Sequence, residues 1–311
     1  MIDDLRHQRV GVIGANGFIG SAILRALIRA RVSPVALCGP GPQPHLIPEG
    51  IDSETCDLTS AEGLKAWAAG LDVVIHAAGP PSVRNSFAAP EEYVRVHVQG
   101  SAAVVKVCHE VNVNRLVYIS SAEVYGRPVA NPVAETHPLQ ARSPYAAAKI
   151  GAERMIEAYS VSFGLKAVIL RPFSVYGPNP PPESLLSDII AMARRGIVRL
   201  RDLRPVRDYC YVEDLAKAVI QASVLATEKL SILNIGTGKG TSVADFAALV
   251  VRLMGTKVQV LEDRSVPRQG ESDIFELVAD TSMTRNILGW QPETGLEDGL
   301  RQTVERRPGR A

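Results

Sequence analysis

The 311-residue chain is 46% apolar, with a mean hydropathy of +0.06 and a formal net charge of +1. That composition supports a sizeable core and excludes a disordered chain. The balanced charge gives no general pull toward nucleic acid or an anionic membrane, and no apolar stretch approaches the roughly 20 residues that span a bilayer.

The length fits one large domain or two smaller ones. Cys38, Cys56, Cys108 and Cys210 are scattered, without C-x-x-C or zinc-ligand spacing, so no metal site is expected. Such cysteines suit a reducing compartment, and the polar start "MIDDLRHQRVGVIG" is not a secretory signal, so a cytoplasmic protein is expected. The basic end "RQTVERRPGRA" reads as a solvated helix end.

In chain order, "RVGVIG" (9–14) reads as a strand. Residues 18–31 read as a helix, with Ile19, Ile23, Leu24 and Leu27 at helical spacing. "PVALC" (34–38) and "DVVIHAAG" (72–79) read as strands. A helix is expected from about Glu91 to Val111, then a strand at "RLVYISS" (115–121). A long helix covers 144–164, with Ser143 as N-cap, Pro144 as first helical residue and Gly164 as its end. "KAVILRP" (166–172) is the next strand.

The proline-dense "YGPNPPPES" (176–184) is a loop. Helices near 185–195, 214–226 and 242–255 and a strand at 231–236 follow. Strand–helix alternation implies an α/β fold, a Rossmann-type doubly wound parallel sheet, with a smaller, mostly C-terminal α/β lobe. The expected division is 1–175 for the dinucleotide-binding domain, which also receives part of 205–236, and 176–311 mainly for a substrate-binding lobe.

Gly14-Ala15-Asn16-Gly17-Phe18-Ile19-Gly20 joins the first strand to the first helix. Glycines there permit a tight turn and close backbone approach to a pyrophosphate, and the helix N-terminus offers free N–H groups. The spacing is G-x-x-G-x-x-G. The second strand ends Leu37-Cys38-Gly39-Pro40, with no acid for ribose hydroxyls, and no Arg or Lys from Cys38 to Gly50 serves a 2′-phosphate. The reading leans to NAD, with NADP not excluded. Asp57 in "CDL" can accept from an adenine amino group, or cap a helix over 59–69, or both.

Tyr145 and Lys149 lie four apart on one helix face. A tyrosine must lose about 3 pH units from its ordinary pKa to act as a base near neutrality. A neighbouring ammonium and an oxidised nicotinamide ring both favour the phenolate. The phenolate can then take a proton from an alcohol while hydride leaves the same carbon, with Ser121 bonding that oxygen.

Nine motifs in order carry a resemblance over nearly the whole chain. They are "GANGFIG" (14–20), "CDL" (56–58), "VVIHAAGPPSV" (73–83), "RLVYISSAEVYG" (115–126), "SPYAAAK" (143–149), "LRPFSVYGP" (170–178), "RDYCYVEDLAKA" (207–218), "NIGTG" (234–238) and "LGWQP" (288–292). The chain resembles an extended short-chain dehydrogenase/reductase of the NAD-dependent nucleotide-sugar epimerase/dehydratase family. The resemblance implies cofactor contacts from Gly14, Asn16, Gly17, Phe18, Ile19, Gly20, Asp57, Leu58, Ala77, Ala78, Gly79, Tyr145, Lys149 and Pro172. It implies a catalytic triad of Ser121, Tyr145 and Lys149. It implies a nucleotide-sugar site from Ser82, Val83, Ser121, Glu123, Ser174, Arg207 and Arg268, the arginines as a diphosphate clamp. It further implies a homodimer, paired by helices near 91–111 and 144–163 as a four-helix bundle.

The chain departs from the family where Ile13 replaces Thr, Cys38 an acid, His97 an Asn and Ser174 an Asn. His97 reads as a neutral packed or hydrogen-bonded residue, with an extra acid/base role as the alternative. The Ala122-Glu123 pair lacks the acid of the related dehydratases. Glu123 reads first as a carboxylate bonding sugar hydroxyls, then as a proton-transfer group or an ion-pair partner. Epimerisation is therefore expected: oxidation at sugar carbon 4, rotation of the keto-sugar and re-reduction. The alternatives are an NAD(P)H-dependent keto-sugar reductase, a decarboxylase or dehydratase using Glu123, and a non-enzymatic dinucleotide-binding regulator.

Overall fold

Short, continuous apolar runs form strands that are covered on both faces. In this computed structural model, residues 2–39, 46–182, 184–226, 230–265 and 274–305 are described. The first-half strands are β1 (Val10–Ile13), β2 (Val35–Cys38), β3 (Ser53–Thr55), β4 (Val73–His76), β5 (Arg115–Ile119) and β6 (Ala167–Pro172). With the later Leu230–Ile235 strand they make a seven-stranded parallel sheet, in the order β3, β2, β1, β4, β5, β6, Leu230–Ile235.

Its register aligns the strand ends that matter. Ile13 pairs with both Leu37 and His76, His76 with Tyr118, and Ile119 with Leu170. Gly14, Cys38, Ala77 and Ser120 therefore emerge along one carboxyl edge. Strand order reverses between β1 and β4, where a crevice opens outside the sheet.

One face of the sheet is covered by the Phe18–Arg29 and Val212–Ser223 helices, through Ile23, Leu27, Leu215 and Val219. The chain returns late to this side, where Trp290 donates to Asp214 O at 3.0 Å. The other face is covered by the Ala61–Ala68, Gly100–Glu110 and Pro144–Phe163 helices, through Trp67, Val105 and Ile156.

The Pro144–Phe163 helix forms as read: Ser143 Oγ accepts from Ala146 N at 3.1 Å, and Gly164 closes it at φ +72°. The helix expected over 91–111 is not uniform. Pro90–Tyr93 is α-helical, Val94–Gln99 is a π turn and Gly100–Glu110 is α-helical again. The wide turn carries His97, and such turns gather at functional sites.

A second core forms from Tyr176, Ile189, Tyr209, Phe246 and Val250, with the Tyr209 and Phe246 rings stacked at 4.0 Å. It lies among β7 (Ser174–Tyr176), β8 (Val198–Leu200), β9 (Val206–Tyr211) and the Leu185–Arg194 and Val243–Leu253 helices. Among the described residues no helix is long and apolar enough to cross a membrane.

Candidate active site and cofactor groove

β1 ends at Ile13 and the chain turns at once. Gly14 takes φ +78°, a left-handed conformation unfavourable to residues with a side chain. Its amide donates to Leu37 O at 2.8 Å, and the Gly17 amide donates to Gly14 O at 3.0 Å. A Cβ on Gly14 would lie 2.7 Å from Ala78 N, and one on Gly20 would lie 2.0 Å from Gly14 O. The turn thus presses on the loop after β4. Gly17 caps the Phe18–Arg29 helix without a side chain, and Asn16 Nδ2 reaches Gly39 O at 3.4 Å. First-turn helix amides without intrahelical partners are anion donors.

Two clefts meet over this turn. The first, about 290 Å³, is walled by Gly14, Leu37, Cys38, Asp57, Leu58 and Arg95. The second, about 260 Å³, is walled by Gly17, Phe18, Ile19, His97, Tyr145 and Lys149. Ala78, Gly79 and Pro80 line both, and Ala77 lines the second, so the two form one groove across the switch point. A dinucleotide fits this groove, because backbone is bare where a Cβ would fill it.

Asp57 does not cap a helix. That helix spans Ala61–Ala68 with Ser60 at its N-cap. Asp57 Oδ1 instead accepts from Thr59 N at 2.9 Å and Thr59 Oγ1 at 2.8 Å, and Arg95 donates to Oδ2 at 3.0 Å. The Thr59 bonds first, and Arg95 after them, hold its carboxyl below the usual range. Arg95 also donates to Glu92 at 2.8 Å. A cation therefore stands at the Asp57 end of the groove. It arrives from the π turn, more than 40 positions beyond the 38–50 stretch that holds no Arg or Lys.

At the other end β5 delivers Ser120 and Ser121. The Ser121 hydroxyl accepts from Glu123 N at 3.2 Å and hydrogen-bonds the Tyr145 phenol. Lys149 Nζ donates to Ile119 O at 2.8 Å and sits 4.9 Å over the Tyr118 ring. Burial lowers Lys149 from 10.5 to about 7. Burial raises Tyr145 to about 12, with the Glu123 charge adding and the Ser121 bond opposing.

His97 is buried, with Nε2 3.1 Å from Pro80 O and its ring edge-on to Tyr145 at 5.5 Å. Burial and the Lys149 charge hold it well below its ordinary pKa, so it is neutral. Gly79 is glycine for this reason: at φ +126°, a Cβ there would lie 2.2 Å from His97 Cε1.

Glu123 is half-buried, and burial raises its carboxyl while the Arg207 charge opposes. Arg207 donates to Ile274 O at 2.7 Å and Val206 O at 3.0 Å. Val83 packs with Tyr93 and Tyr145, and Ser82 caps the Val83–Ser86 turn by accepting from Asn85 N at 3.1 Å. Pro172 and Ser174 line neither cleft; Pro172 ends β6 beside Ile235, and Ser174 begins β7 opposite Tyr209. Arg268 lies outside the described residues. The Asn179–Pro182 run, read only as a loop, lines the second cleft. Its prolines gave no signal of which surface they would cover.

The NAD dependent epimerase/dehydratase family matches residues 10–236. The chain belongs to that family. A UDP-glucose 4-epimerase of Azospirillum brasilense is 30% identical over 320 residues, covering 94% of this chain and 89% of its own. The UDP-glucose 4-epimerase of Thermotoga maritima, solved with UDP-glucose, superposes with a TM-score of 0.88 at 27% identity, covering 96% of this chain and 97% of its own. The Thermus thermophilus UDP-glucose 4-epimerase, solved with NAD, gives a TM-score of 0.85 at 29% identity, covering 96% and 98%. The resemblance drawn from the nine motifs is borne out. The chain is an NAD-dependent enzyme of the nucleotide-sugar epimerase type, and its cofactor is NAD.

Proposed function

We propose that the enzyme epimerises a UDP-hexose at sugar carbon 4. One observation carries this reading: Tyr145 and Lys149 line the same cleft as the glycine turn, with Ser121 acting on the Tyr145 phenol beside them. NAD, when bound, supplies the hydride acceptor and donor. Tyr145 exchanges a proton with the sugar hydroxyl, Ser121 holds that oxygen, and Lys149 favours the phenolate. Glu123 accepts from other sugar hydroxyls, since Ala122 beside it has no proton to give. In this reading Ser82, Val83 and Ser174 from the first 175 residues, and Arg207 from the lobe formed mainly by 176–311, meet the sugar and diphosphate.

A homodimer pairing the Gly100–Glu110 and Pro144–Phe163 helices fits the second helix's exposed end, where Val161 and Phe163 are uncovered. The four free cysteines fit a cytoplasmic location.

The test is to supply UDP-glucose without added cofactor and to weigh the nucleotide released on denaturation. Formation of UDP-galactose and release of NAD are expected. An empty protein that consumes NADH or NADPH mole for mole would overturn epimerisation in favour of the reductase.

A further inference from the structure

Lys149 belongs to the reaction proposed above, and the inference about Glu153 rests on that reading. Glu153 lies one helical turn beyond Lys149, with its side chain 3% exposed. Arg171, from β6, grips it twice: Nε to Oε1 at 3.0 Å and Nη2 to Oε2 at 2.7 Å. Ser120, the residue before Ser121, donates to the same Oε1 at 2.5 Å. The network continues outward. Arg171 Nη1 donates to the Tyr125 hydroxyl at 3.0 Å, and Tyr125 donates to Asn234 Oδ1 at 2.6 Å. Asn234 Nδ2 donates to Val133 O at 2.8 Å.

A buried ion pair is a weak means of stabilising a fold, because desolvation offsets its attraction and apolar replacements serve as well. The location of this one points to a different use. Several groups face Lys149: Tyr118 from β5, Tyr145 from its own helix, His76 from β4 and His97 from the π turn. In the cofactor-free protein none of these four carries a negative charge near neutral pH, burial holding the Tyr145 phenol at about 12. Both histidines are held neutral, His76 at about 3 through burial. Glu153 is the carboxylate whose charge acts on Lys149.

We propose that Glu153 is a positioning residue for the Ser121–Tyr145–Lys149 site, gripped by Arg171. Its carboxylate pins the end of β5 through Ser120 and supplies the counter-charge under which Lys149 keeps its proton.

The experiment compares wild type, Glu153→Gln, and Glu153→Gln with Arg171→Met, which removes the cation that the single change strands. Trace acetic anhydride labelling of the cofactor-free protein from pH 5 to 10, read by mass spectrometry, reports the protonation midpoint of Lys149 directly. Turnover of UDP-glucose is followed over the same range. The midpoint is expected to fall by about one unit in the double variant, which takes the ammonium fraction at pH 7 from about a half to about a tenth, and at least as far in Glu153→Gln, where Arg171 stays charged. Turnover at pH 7 then falls roughly fivefold and recovers toward wild type near pH 6. An unmoved midpoint, or a loss of turnover equal at every pH, overturns the proposal. If wild type fails to interconvert UDP-hexoses the proposed function fails, while the labelling midpoint still decides the role of Glu153.

Discussion

Replacing Lys149 by methionine is expected to stabilise the cofactor-free protein while abolishing turnover. Lys149 is 5% exposed, and burial takes it from 10.5 to about 7. An unfolded chain returns it to the ordinary value. Between pH 7 and pH 10.5 the unfolded state therefore binds more protons, and wild-type stability rises with pH in that window. Below pH 7 both states are protonated and the full cost is present. Roughly 3.5 units at about 1.4 kcal/mol each give a cost of about 5 kcal/mol. Methionine removes that cost but strands the Ile119 carbonyl, which gives back about 1–3 kcal/mol. The net gain is about 2–4 kcal/mol at pH 7, or about 3–6 °C in Tm for a chain of this size. Urea and thermal unfolding at pH 7 and pH 9 measure it, and the advantage should nearly vanish at pH 9. A lower Tm at pH 7, or an equal difference at both pH values, would refute the reasoning.

Three further outcomes follow from the same geometry. Gly20→Ala forces a Cβ against Gly14 O and should abolish NAD retention with a loss of more than about 2 kcal/mol in stability; a variant that purifies with NAD and an unchanged Tm contradicts the cradle. Tyr145→Phe should lower kcat about 10²–10⁴-fold with NAD affinity and Tm close to wild type; near-normal turnover removes Tyr145 from proton transfer. Arg207→Met takes away the cation that opposes the burial-raised Glu123, so the acid limb of turnover should move to higher pH; an unmoved limb uncouples the pair.

Local chemistry made several elements legible from sequence. Ser143, Pro144 and Gly164 bound their helix by capping, φ restriction and a left-handed end, each of which acts within a few residues. The i, i+4 spacing put Tyr145 and Lys149 on one face in advance. Glu153 continues that face, but spacing alone does not say that a carboxylate is buried or that Arg171 will meet it.

The sequence by itself determined the parallel sheet, the glycine turn and the shared face of Tyr145 and Lys149, since these rest on periodicity and steric rules that operate over short stretches; Ser121 joined them through the family resemblance. Only the tertiary structure decided that Arg95 reaches Asp57, that His97 fills the space left by Gly79, and that Glu153 and Arg171 lie buried beneath the site. Those contacts join residues 18 to 38 positions apart. Their charge states depend on desolvation, and desolvation exists only once the strands and helices have packed.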